Sequence, residues 1–232
     1  VTAIHILSGG AAQGLVAQLA ETLKAQTGLG IEGEFGAVGL MADKLRGGTP
    51  ADIVILTRAL VTKLRDEEFV DPTSIVDVGV VETALAVRAN DPKVTVKTGS
   101  DLRDALRAAD AIFVPDIKAS TAGIHVAKTL DRLGIADEVA SRLRIFPNGA
   151  TAMRQLAASD AKRPIGCTQA TEIIATEGIV LSGSLPPGHE LATMYTAGVA
   201  TRAAHVTAAR VLIELLTDAD RSELRRRMGF SG

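Results

Sequence analysis

The first sixty residues alternate short apolar runs with amphipathic ones, and this alternation restricts the chain to a layered α/β fold. Thr2–Leu7, Ile31–Phe35 and Ile53–Leu56 are runs of strand length. Between the first two, Ala11–Gln26 places Leu15, Leu19 and Leu23 at helical spacing with Val16 beside them. A helix over Ala59–Glu67 follows the third run. A strand as short and apolar as Ile53–Leu56 suits a parallel sheet covered on both faces. The loop after each strand is small and polar: Ser8-Gly9-Gly10, Gly36-Ala37-Val38-Gly39 and Thr57-Arg58. Each of these loops opens a helix. Helix N-termini carry unpaired N–H groups and partial positive charge, so they hold anions without cationic side chains. Several such ends facing one cleft make a site for a small anion.

The alternation continues downstream. Ile75–Val87 is a long, β-branched run interrupted by Gly79, and Gly99-Ser100 caps a helix with Asp101 in its first turn. Strands are expected at Ala111–Pro115, Arg144–Phe146, Ile165–Thr168, Ile179–Leu181 and Leu191–Ala200. Helices are expected at Thr121–Leu133 (stopped by Gly134), after Asn148-Gly149, and at Ala170–Ala175, Ala203–Leu216 and Asp218–Arg227. No fixed-period repeat or low-complexity segment is present. Periodicity alone permits one doubly wound sheet built from these strands.

Composition removes several function classes. Apolar residues make up 47% of the 232, enough for a sizeable core. Aromatics are 3% and Trp is absent, which disfavours a sugar cleft built on ring stacking. The net charge of −2 gives no basic footprint for nucleic acid. The single Cys167 rules out an intramolecular disulfide and a cysteine-rich metal site, and it fits a small residue in a buried strand. No two His share a metal-ligand spacing, so no protein-held metal and no cofactor is expected. Neither Gly-x-Ser-x-Gly nor a phosphate-binding P-loop occurs. No run approaches the ~20 apolar residues of a membrane span. The start at Val1-Thr2-Ala3-Ile4 fits a periplasmic protein whose leader has been removed. It fits equally a chain that never carried one, which leaves the cytoplasm open.

Several segments together carry a resemblance. They are Ile6-Leu7-Ser8-Gly9-Gly10, Gln26-Thr27-Gly28, Phe35-Gly36-Ala37-Val38-Gly39 and Gly47-Gly48-Thr49-Pro50-Ala51-Asp52-Ile53-Val54-Ile55. Further on come Pro115-Asp116, Ser120-Thr121-Ala122-Gly123-Ile124-His125, Leu130…Leu133-Gly134 and the terminal Met228-Gly229-Phe230. In this order they resemble the type II periplasmic solute-binding proteins, most closely the molybdate-binding branch, a branch that aconitate isomerases also resemble. The resemblance implies a two-lobed α/β fold. Residues 1–82 plus 196–232 would form one lobe and 83–195 the other, with Val80–Arg88 and Leu191–Thr201 crossing between them as a hinge. It also implies departures. Hydroxyls in the first two loops hold the oxyanion in molybdate binders; here those positions fall on Ala11 and Val38, and a Tyr donor falls near Thr168.

The candidate ligand-binding residues are Ser8, Gly9, Gly10, Thr57, Arg58, Lys118, Ser120, Thr121, Gly149 and Thr168. Bare glycine backbone permits close approach, the hydroxyls add donors, and Arg58 can fork onto a carboxylate. Ser8 and Ser120 also read as helix caps, and Gln169 beside Thr168 also reads as a surface residue. Asp52 is expected to anchor the turn made by Pro50-Ala51. The leading function is a solute-binding protein that captures a small carboxylate or oxyanion in an interlobe cleft and passes it to a membrane transporter. The alternative is an isomerase of a small tricarboxylate such as aconitate. On that alternative Ser8, Arg58, His125 and Glu172 are the catalytic candidates, although capping is the preferred role for Glu172.

Overall fold

A computed structural model describes residues 3–232. The first two residues, including the opening position of the expected strand Thr2–Leu7, lie outside the described residues. In chain order the elements are β1 (Ala3–Gly9), α1 (Gln13–Thr27), β2 (Gly30–Gly36), α2 (Val38–Arg46), β3 (Ile53–Thr57), α3 (Arg58–Asp66), β4 (Val76–Arg88), α4 (Gly99–Ala108), β5 (Ala111–Pro115), α5 (Thr121–Arg132), α6 (Ala136–Val139), β6 (Leu143–Phe146), α7 (Gly149–Ala157), β7 (Pro164–Gln169), α8 (Ala170–Ile174), β8 (Ile179–Ser184), β9 (Ala192–Val199), α9 (Val206–Thr217) and α10 (Ser222–Arg227). The chain divides into two compact units. One takes the chain up to Val81 together with Thr193–Gly232, and the other is Glu82–Ala192.

In the first unit β1 pairs in parallel with β2 and with β3, and β9 runs antiparallel beside β3. Ser8 stands opposite both Phe35 and Ile55, so the three parallel strands end nearly level. Their apolar side chains, Ile4, Ile6, Ile53 and Leu56 among them, pack with Leu15, Leu19 and Leu23 of α1 and Leu212 and Leu216 of α9. α1 stops at Gly28, which takes a left-handed φ of 75° and returns its N–H to Lys24 O. Such a φ costs a side chain but not glycine. Asp52, 1% exposed, accepts the His5 N–H at 2.8 Å and the His205 N–H at 2.7 Å. One buried carboxylate therefore ties β1 to the start of α9. The helix α9 begins at Val206 rather than at the expected Ala203, directly after this tie.

In the second unit β7, β5 and β6 are parallel neighbours, and β4 lies antiparallel between β7 and β8. Strand side chains alternate between faces. Leu85, Ile112, Val114 and Cys167 meet Leu102, Leu106, Val126 and Leu130 of α4 and α5. Ala84, Ala86 and Phe113 meet Met153 and Leu156 of α7 and Ile173 of α8. Phe113 and Phe146 stack with centroids 5.9 Å apart, closing that second core.

Two helix starts differ from expectation. The cap of α4 is Thr98, one residue before Gly99-Ser100. Its hydroxyl accepts the Asp101 N–H at 3.1 Å, and Asp101 Oδ2 accepts the Thr98 N–H at 3.0 Å. Only Thr98 has an acidic residue three positions on, and that spacing closes a capping box. The first helix starts later than Ala11, after a 3-10 turn over Gly10–Ala12.

Candidate functional site

In the first unit, Gly9, Ala37 and Thr57 each hold extended backbone immediately before a helical segment, with φ of −61°, −62° and −65°. None of them makes a side-chain cap hydrogen bond. The starts of the Gly10–Ala12 turn, of α2 and of α3 therefore present first-turn N–H groups with no side-chain acceptor. They follow three adjacent parallel strands that end level, so they form one row along the carboxyl edge of this sheet. Gly9 is bare for a reason: a Cβ there would lie 2.8 Å from Val38 Cγ1 and 2.9 Å from Tyr195 Cε1.

The side chains near this row face mostly inward. Ser8 is fully buried, and its hydroxyl contacts Gly9 O at 2.9 Å and Ile55 O at 3.2 Å. Its one proton is turned into the sheet, where it ties β1 to β3. Arg58 forks onto Asp77, with Nε 3.0 Å from Oδ1 and Nη2 on Oδ2, and Thr196 Oγ1 donates to the same Oδ1 at 2.7 Å. The carboxylate that Arg58 was expected to hold is thus supplied by the chain itself. The Arg58 side chain is 57% exposed, so the pair is screened by solvent and open to exchange with another carboxylate. Thr57 is half-buried and Gly10 lies beside it in exposure.

In the second unit the helix starts are occupied. Ser120 Oγ accepts the Gly123 N–H at 2.9 Å at the start of α5, and half-buried Thr121 is the first residue of that helix. Gly123 is required there, because a Cβ would stand 2.1 Å from Asp116 O. Lys118 is exposed, and its N–H donates to Asp116 Oδ1 at 2.7 Å. At α7, Asn148 Oδ1 accepts the Thr151 N–H at 2.8 Å. The N–H groups of Gly149 and Ala150 go to the buried carboxylate of Glu172, as does that of Gln169. Thr168 Oγ1 donates to Glu172 Oε2 at 2.6 Å. Burial pushes the Glu172 pKa up, and the Thr168 hydroxyl and the three N–H groups pull it the other way. Gly149 and Thr168 are brought together, but around an internal carboxyl group. A Cβ on Gly149 would meet Glu172 Oε2 at 1.9 Å. His125 Nε2 donates to His189 O at 2.7 Å, which commits that ring proton to the backbone.

Sequence reasoning missed Asp77 and Thr196, and Gln169, weighed there as a surface residue, is buried. Asp77 and Thr196 are 119 positions apart, and no local signal joins them. A cavity of about 370 Å³ lies at the opposite, amino-terminal edge of the first unit's sheet, lined by Gly48, Thr49, Pro50 and Arg202 among others. Its lining Arg46 is paired with Glu67 at 2.7 Å. Among the described residues, no group of three or more His, Cys, Asp or Glu side chains is placed to hold a metal ion. No described helix is long and apolar enough to cross a membrane.

The fold is that of the periplasmic binding proteins. The structure superposes on the periplasmic molybdate-binding protein of Azotobacter vinelandii with a TM-score of 0.81 at 17% identity, covering 99% of both chains. It superposes on the sulfate-binding protein SubI of Mycobacterium tuberculosis with a TM-score of 0.75 at 18% identity, covering 99% of this chain and 86% of that one. The chain belongs to the bacterial extracellular solute-binding protein family, whose model matches residues 4–231. It is also 26% identical over 231 residues to an aconitate isomerase from a Pseudomonas species, covering 95% of this chain and 84% of that protein.

Proposed function

We propose that this protein captures a small anion, a carboxylate in preference to a metal oxyanion, in the bacterial periplasm and delivers it to a membrane transporter. One observation carries the reading: the row of three helix starts without side-chain caps at the level ends of β1, β2 and β3. An anion there accepts backbone N–H bonds and gains from the helix dipoles with no counter-cation. The caps on α4, α5 and α7 are filled by Thr98, Ser120 and Asn148, and the contrast supports this reading. Ala11 and Val38, 2% and 8% exposed, bring no hydroxyl to the loops where molybdate binders use one, which supports a carboxylate. Exposed Lys118 and the Ser120-Thr121 start of α5 remain candidate contacts in the second unit. The division into lobes 1–82 plus 196–232 and 83–195 is part of the same proposal. The test is calorimetric titration with citrate, both aconitate isomers, sulfate and molybdate. A carboxylate should bind at micromolar concentration. Tight molybdate binding with no carboxylate binding overturns the preference, and binding of a neutral sugar alone rejects the site.

The likeness to an aconitate isomerase favours a second reading, isomerisation of a small tricarboxylate on the same scaffold. On it, Arg58 exchanges Asp77 for a substrate carboxylate, and Glu172 or His125 moves the proton. Proton NMR of trans-aconitate with a catalytic trace of protein tests it. Turnover would be cut by Arg58→Ala by the ~2.7–4 kcal/mol typical of a lost anion-stabilising donor. His125→Ala would cost less, because its Nε2 proton is spent on His189.

A further inference from the structure

The second unit alone holds a cavity of about 350 Å³ that the anion row does not use. It lies where β7 begins, lined there by Pro164 and Ile165 and by Val87 of β4. On one side α4 brings only the methyl groups of Ala105 and Ala108. On another, the loop joining β4 to α4 brings Pro92 and Val94. That loop is fixed in place. The Ser182 hydroxyl of β8 accepts the Val94 N–H at 2.6 Å and donates to Val94 O at 3.0 Å. Asp101 of α4 accepts the Lys97 N–H at 3.0 Å. Anchored backbone therefore bounds the cavity on both sides. The starts of α5 and α7 follow the carboxyl ends of β5 and β6, so they stand at the other edge of this sheet.

The charges bordering this apolar space are one-sided. Lys93, Lys162 and Arg163 line it, and among the described residues none of the three side chains forms a salt bridge. The two acids nearby are committed elsewhere. Asp91 takes the fork of Arg88 at 2.6 and 3.2 Å. Asp110 accepts the N–H groups of Lys162 and Arg163 at 3.0 and 2.9 Å. We infer that this cavity is a second binding site, independent of the anion row, and that it takes a medium-chain monocarboxylate. The alkyl chain lies against Val87, Val94, Ala108 and Ile165, and the carboxylate meets the free cations. The volume falls at the small end of the ~300–1,000 Å³ of small-molecule pockets. Removing the chain from water supplies most of the affinity. Exposed cations add a modest, salt-screened attraction, and they choose the sign of the head group. Sulfate or citrate gains only that attraction and buries no apolar surface, so it is not held here. A neutral chain forgoes the head-group pairing, and an ammonium is repelled.

The experiment titrates hexanoate, octanoate and decanoate calorimetrically into the full chain, with 1-octanol and octylammonium as head-group controls. Octanoate should bind one to one, and each added methylene should tighten binding about two- to four-fold. Octanol should bind at least about three-fold more weakly than octanoate, and octylammonium more weakly still. Ala108→Leu, at an exposed helix position, fills the cavity and should weaken octanoate at least about ten-fold. The double variant Lys93→Gln, Arg163→Gln should bring octanoate down to the level of octanol and leave octanol unchanged. Both of its positions are exposed, so it carries the test if Ala108→Leu does not fold. Octanoate affinity that survives Ala108→Leu in a folded protein overturns the inference. So does octanol or octylammonium binding as tightly as octanoate, a chain-length series that is flat, or more than one octanoate per chain. Octanoate binding abolished by Thr57→Asp and kept in Ala108→Leu would move the ligand to the anion row and overturn the second site. No octanoate binding at millimolar concentration overturns it as well and leaves the anion row untouched.

Discussion

Glu172→Ala should be among the most destabilising single changes in the second unit. Its carboxylate receives the N–H groups of Gly149, Ala150 and Gln169 and, at 2.6 Å, the Thr168 hydroxyl. It thus caps α7 and α8 together, with Asn148 taking the third N–H of α7. Truncation strands at least two N–H groups of α7 in a buried setting, at about 1–3 kcal/mol each. Two such groups make the expected loss roughly 2–6 kcal/mol. That is a large part of the ~5–15 kcal/mol of a typical domain. Glu172→Gln keeps one acceptor oxygen but turns an amide N–H₂ toward donors, and should cost roughly 1–2 kcal/mol at neutral pH. Urea unfolding followed by circular dichroism suits a chain with no Trp and one Tyr. The midpoint should fall with little change in slope. Acetate, a free carboxylate, should restore part of the loss in Glu172→Ala by entering the vacated site. The pH dependence has a definite sign. Burial raises the folded-state pKa above the ordinary 4.5, so ionisation opposes folding. The stability of wild type relative to Glu172→Gln should therefore fall as pH rises from 4.5 through the raised value. A Glu172→Ala protein within about 0.5 kcal/mol of wild type would refute this capping role.

Other outcomes follow from single features. Gly123→Ala should cost at least about 1–3 kcal/mol, because its Cβ would stand 2.1 Å from the Asp116 carbonyl oxygen; a thermal melt reads it, and an unchanged Tm contradicts the packing. The Cys167 thiol, pushed up to about 12 by burial, should resist a thiol reagent in the native protein at neutral pH and react once unfolded in guanidinium. Asp110 accepts the N–H groups of Lys162 and Arg163 at 3.0 and 2.9 Å, which hold its pKa below the ordinary 3.8. Its contribution should be complete above 3.8 and lost as pH falls toward the lowered value, so Asp110→Asn should flatten the acid limb of a stability–pH curve.

The fold was legible because it is written in local pattern. Leu15, Leu19 and Leu23 mark α1 by spacing, Ala111–Pro115 is apolar along its whole length, and Gly28 and Gly134 stop helices by backbone freedom. Helix starts were legible where the cap lies within three residues, as at Ser120 and Asn148. The capping box of Thr98 with Asp101 was misplaced by one residue because Thr98, Gly99 and Ser100 all have capping character. The candidate site was harder to read because its chemistry is decided by pairing between distant residues. Arg58 meets Asp77, 19 positions on, and Gly149 meets Glu172 through folding alone. Nothing beside Gln169 in the sequence says that its carboxamide is buried without a partner.

The most direct test of the anion row is to give one of its helix starts a carboxylate of its own. Thr57→Asp places an acceptor at the cap of α3, where no side chain now caps. An added cap should raise stability by about 0.5–1 kcal/mol. It should also fill the N–H groups and repel a second anion. Calorimetric titration of wild type and Thr57→Asp with the best-bound carboxylate is the decisive measurement. A raised Tm together with an affinity lowered at least about ten-fold is the expected result. Undiminished anion binding in a folded Thr57→Asp protein would contradict the placement of the ligand on this row.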